Sequence, residues 1–83
     1  MNLTAHVHNR RGNIEIALFK KFQERTLSVQ HGNGATVTDA LCDALGQHSA
    51  FYVNEDVELA LCVAALRNKQ VDLVIRQGTI YAN

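Results

Sequence analysis

The stretch Asn54-Glu55-Asp56-Val57-Glu58-Leu59-Ala60-Leu61-Cys62-Val63-Ala64-Ala65-Leu66-Arg67-Asn68-Lys69 decides most of what this chain can build. Asn54 suits an N-cap, because a short polar side chain can accept from an orphan N–H of the first turn. Glu55, Asp56 and Glu58 sit at the positive end of the helix dipole, and Arg67 and Lys69 at its negative end. The pattern predicts a helix. On a wheel of about 100° per residue, residues 57–68 carry two apolar sides. Val57, Leu61 and Ala64 fall on one; Leu59, Val63 and Leu66, joined by Cys62, fall on the other. Only narrow strips, with Glu58 on one flank and Arg67 on the other, remain for water.

A helix lying on a sheet needs one apolar stripe, so the second requires a cover. The cover is either a neighbouring helix over residues 36–46 or a second copy of the chain. Left bare, three or four large side chains would stay wet at about 1.5–3 kcal/mol each. A chain of 83 residues cannot easily supply a third layer. Closed two-fold pairs are the commonest soluble oligomers. The expectation is therefore a homodimer through Leu59, Cys62, Val63 and Leu66.

Upstream, residues 3–8 alternate, with Leu3, Ala5 and Val7 on one face and Thr4, His6 and His8 on the other. Residues 13–19 alternate as well, placing Ile14, Ile16 and Leu18 together. Asn9-Arg10-Arg11-Gly12 between them reads as a hairpin turn. The tight-turn register sets Val7 opposite Ile14, Ala5 opposite Ile16 and Leu3 opposite Leu18, which puts Glu15 across from His6. Ile14, Ala17, Leu18 and Phe22 also fit a helical template over 14–25; the β-branched pair and the preceding turn favour strand. A third strand is expected over Thr26–Gln30, with Leu27 and Val29 inward.

His31-Gly32-Asn33-Gly34 reads as a break. Thr36 with Asp39 three residues on is a variant capping box, opening a helix over 36–46 that Gly46 ends. Short strands follow at 50–53, at 71–75, and after the Gln77-Gly78 turn at 79–82, with Ile80 or Tyr81 inward. The fold class is α+β: one domain over 1–83, with an antiparallel sheet of four or five strands and two helices packed on one face.

Composition sets limits. Hydrophobic residues at 47% against 19% charged ones exclude a disordered chain. The longest apolar run, Leu59–Leu66, is far short of the roughly 20 residues a bilayer needs, and the N-terminus does not read as a signal peptide, so no membrane association is expected. Cys42 and Cys62 lack a CxxC context and read as reduced, buried thiols of a cytoplasmic protein. The net charge of zero is split: residues 1–31 carry 5 − 2 = +3 and residues 32–83 carry 3 − 6 = −3. Such asymmetry suits an anionic partner or the alignment of two copies.

Three constellations could carry chemistry. His6 and His8 point the same way from a strand, and Glu15 would join them, giving two imidazoles and a carboxylate for a divalent metal. The same residues also make an ordinary solvent face. Arg10, Arg11, Lys20, Lys21 and Arg25, with Phe19 and Phe22 nearby, could form a nucleic-acid surface, although nucleic-acid modules usually carry a far larger basic excess. His31-Gly32-Asn33-Gly34-Ala35-Thr36 before a helix could cradle an anion, but it lacks the P-loop lysine and the third glycine of a dinucleotide fingerprint. Asp39 and Asp43 read as a solvated helix face.

Asp72-Leu73-Val74-Ile75-Arg76-Gln77-Gly78-Thr79-Ile80 looks like the opening strands of amidohydrolase-superfamily enzymes, and His6-Val7-His8 looks like their metal-binding HxH. The two pieces come in reverse order and cover under a quarter of the chain. The (β/α)₈ barrel of about 250 residues that the resemblance implies cannot be built here.

The leading functional expectation is a non-catalytic, self-associating protein that binds another macromolecule and needs no cofactor. The alternatives are a nucleic-acid-binding module using the basic hairpin, and a metal-dependent enzyme using the His-x-His strand.

Overall fold

The computed structural model describes residues 2–22, 25–46 and 51–82, and the side chains of residues 21–29 lie outside that description. The elements run β1 (Asn2–Arg10), β2 (Asn13–Phe22), β3 (Arg25–Gly34), α1 (Val37–Leu45), β4 (Tyr52–Val53), α2 (Glu55–Arg67), β5 (Gln70–Arg76) and β6 (Thr79–Ala82). They form an α+β fold with a six-stranded sheet in the order β3-β2-β1-β5-β6-β4. The sheet is mixed, because β4 runs parallel to β6 while the other pairings are antiparallel. This corrects the expectation of four or five antiparallel strands. The short strand expected at 50–53 forms at Tyr52–Val53, where it joins the edge of the sheet parallel to Thr79–Ile80.

The β1–β2 hairpin keeps the expected faces but not the expected register. Val7 lies opposite Ile16, Ala5 opposite Leu18 and Leu3 opposite Lys20. The cause is the turn. Arg11 and Gly12 occupy its two central positions with φ of 52° and 87°, a primed turn that favours glycine second. The Gly12 N–H donates to Asn9 Oδ1 at 3.1 Å. The expected register would have left Gly12 outside the loop. Gln77-Gly78 closes β5–β6 in the same way, at φ 51° and 77°.

Residues 14–25 are strand, not helix, through Phe22. The third strand begins near the expected place but continues through His31-Gly32-Asn33-Gly34, which is therefore not a break. The two glycines serve close packing. A Cβ on Gly32 would lie 2.3 Å from both Ala40 O and Ala44 N, and one on Gly34 would lie 2.7 Å from Ala40 N. Helix α1 thus sits on the β3 backbone, with Ala40 and Ala44 buried at the contact. Asp43, read as solvated, accepts from the Asn33 N–H at 2.9 Å, which satisfies a donor on the edge strand. The expected inward positions Leu27 and Val29 have side chains outside the described residues.

Helix α1 is capped as its sequence predicts, whereas the side-chain cap expected of Asn54 is not made. Thr36 Oγ1 accepts from the Asp39 N–H at 3.1 Å, and Gly46 closes α1. Asn54 precedes α2 without a side-chain cap bond, and Asn68 ends it in the left-handed conformation. Leu3, Ala5, Val7, Ile14, Ile16, Leu18, Leu73 and Ile80 form one core with the inner sides of both helices. Ile80, not Tyr81, is the inward residue of β6.

Candidate functional site

The outer side of α2 is the most distinctive surface among the described residues. Its inner side is dry: Val57 and Leu61 are 0% exposed. Its outer side is wet: Leu59 is 68%, Val63 42% and Leu66 83% exposed, with Cys62 exposed among them. Helix α1 does not cover this stripe, because its inner side is held down on β3. Beside Cys62 and Leu66 a shallow groove runs to Thr36 and Val37 at the start of α1 and to Asn9 and Ile14 at the hairpin end. Acidic Glu55, Asp56 and Glu58 flank one end of the stripe, and Arg67 the other.

Both cysteines are free and exposed, which corrects the expectation of buried thiols. On α1 the buried positions are Val37, Ala40, Leu41 and Ala44, and Cys42 falls off that arc at about 100° per residue.

The sheet face away from the helices carries His6, His8 and Glu15, but not as expected. His8, rather than His6, lies opposite Glu15, while His6 lies opposite Ala17. The two-residue shift in the hairpin is the reason. Glu15 is already ion-paired with Arg10, its Oε2 3.3 Å from Nε, and the His6 ring packs edge-on against Phe19 with centroids 5.0 Å apart. Thr4 Oγ1 donates to Asp72 Oδ1 at 3.1 Å. His31 lies across from Ala17 on β3, so a hollow over that small side chain is lined by His8, Glu15, His31 and Asn33. Sequence reasoning missed His31 because the strand was expected to end before it. Among the described residues, no group of three or more His, Cys, Asp or Glu side chains is arranged to hold a metal ion.

Among the described residues, Arg10 and Arg11 do not share a patch with Lys20. Arg10 and Arg11 belong to the hairpin turn, and Lys20 lies at the other end of β2. Lys20 lies opposite Leu3, seven residues along the strand from Arg10, about 23 Å at ~3.3 Å per residue. The side chains of Lys21, Phe22 and Arg25 fall outside the described residues. Among the described residues no helix is long and apolar enough to cross a membrane. The chain matches no protein-family model, and no curated protein or solved structure is significantly similar to it.

Proposed function

We propose that this protein is a small non-catalytic association module, which pairs with a second copy through the outer side of α2 and acts by binding another macromolecule. The observation that carries the reading is the contrast within one helix: Leu61 is 0% exposed, while Leu66, on the outer side, is 83% exposed. Water around Leu59, Val63 and Leu66 is unfavourable, and each large side chain that is fully re-buried returns about 1.5–3 kcal/mol. A symmetric pair counts each of them twice. Association entropy offsets much of this gain, which puts the dissociation constant in the micromolar range, roughly. The open sheet face supports binding over catalysis, because several of its polar groups are engaged with one another: Arg10 with Glu15 and Thr4 with Asp72. Free Cys42 and Cys62 suit a reducing, cytoplasmic setting.

Solution mass is the test. Light scattering across a concentration series is expected to rise from the 9.2 kDa of one chain toward twice that value. Leu59→Asp and Leu66→Asp together are expected to hold the protein at one chain. A single-chain mass at every concentration up to millimolar sinks the reading.

A further inference from the structure

Resting on that reading, we infer that the two copies meet with their α2 helices antiparallel, about a two-fold axis passing between Cys62 and Val63. The outer stripe is nearly symmetric about that point. Leu59 and Leu66 lie equally far on either side of it, and Cys62 and Val63 adjoin it. Reversing one helix therefore sets Leu59 against the partner's Leu66 and leaves the two smaller residues at the centre, so each large side chain meets another.

The charges select the direction. Glu55, Asp56 and Glu58 stand in the first turn of α2, with Arg67 in its last turn and Lys69 just beyond. A parallel pair would bring three carboxylates against three carboxylates at one end and cations against cations at the other. The antiparallel pair brings acidic first turns against basic last turns, and the two helix dipoles oppose as well. Such an interface is isologous, as a closed pair requires. A 13-residue helix is only about 20 Å long, so the helix face alone falls below the roughly 800 Å² per partner of a stable interface. The groove leading from Cys62 and Leu66 to Thr36, Val37, Asn9 and Ile14 extends the surface.

Cysteine trapping distinguishes the arrangements. In a Cys42→Ser, Cys62→Ser background, the single variants Leu59→Cys and Leu66→Cys are prepared with different mass tags, mixed, and oxidised with glutathione disulfide. Each cross-link formed consumes two protein thiols and reduces one glutathione disulfide to two glutathione molecules. The antiparallel pair brings position 59 near the partner's 66, while identical positions stay about 10 Å apart along the axis, at ~1.5 Å per residue, too far for a disulfide. The mixed 59–66 product is therefore expected to exceed the 59–59 product at least tenfold. Dominance of 59–59 in a protein of double mass, or no product above that of an Asp39→Cys control, overturns the antiparallel arrangement and leaves self-association standing. A single-chain mass of the unsubstituted protein at every concentration overturns both.

Discussion

Helix α1 and helix α2 rest on the same sheet and make opposite use of their sides. Helix α1 comes down onto backbone, with Gly32 and Gly34 beneath Ala40 and Ala44. Its outward side is polar or small: Asp39, Cys42 and Asp43 are exposed, and Asp43 ties back to the edge strand through the Asn33 N–H. Helix α2 meets the sheet through larger side chains, Val57 and Leu61, and sends equally large ones the other way. The first helix is completed by its own chain. The second is apolar on both sides, and the fold uses only one of them.

Substitutions can break or sharpen this contrast. The largest effect is expected at Gly32. A methyl group there would meet the Ala40 carbonyl and the Ala44 nitrogen at 2.3 Å, and both are backbone atoms that cannot rotate away. Gly32→Ala should destabilise the fold by about 3 kcal/mol or more, read by urea denaturation, and displace α1. A loss below about 0.5 kcal/mol would mean that α1 does not sit on the β3 backbone. Next comes the inner side of α2, where Leu61→Ala removes a fully buried side chain and is expected to lower stability by about 2–5 kcal/mol. The smallest effect on folding belongs to the outer side. Leu66→Ala, measured at concentrations where single chains prevail, should shift unfolding by no more than about 0.5 kcal/mol, while weakening pairing at least tenfold. Equal losses at Leu61 and Leu66 in that dilute regime would erase the distinction between the two sides.

The legibility of the molecule follows the range of the interactions. Alternation in residues 3–8 and 13–19 identified the core faces of β1 and β2, and the two-sided wheel of residues 57–68 separated Val57, Leu61 and Ala64 from Leu59, Val63 and Leu66. These are local periodicities, and burial follows them. The expected hairpin register missed by two residues, which moved Glu15 from His6 to His8, although the clue, Gly12 as the second residue of a primed turn, stood in the sequence. The glycines of His31-Gly32-Asn33-Gly34 misled for a different reason. Glycine marks a turn when read locally, but it marks close approach when a helix from later in the chain lands on it.

By itself, the sequence determined the two helices and the apolar sides of β1, β2 and α2, because period, caps and turn residues act within a few positions of one another. Only the tertiary structure decided that β3 runs through Gly34, that β4 joins the sheet parallel to β6, and that α1 leaves the outer side of α2 uncovered. Those outcomes depend on which distant surfaces meet, and on whether a missing side chain makes room for a turn or for a neighbour.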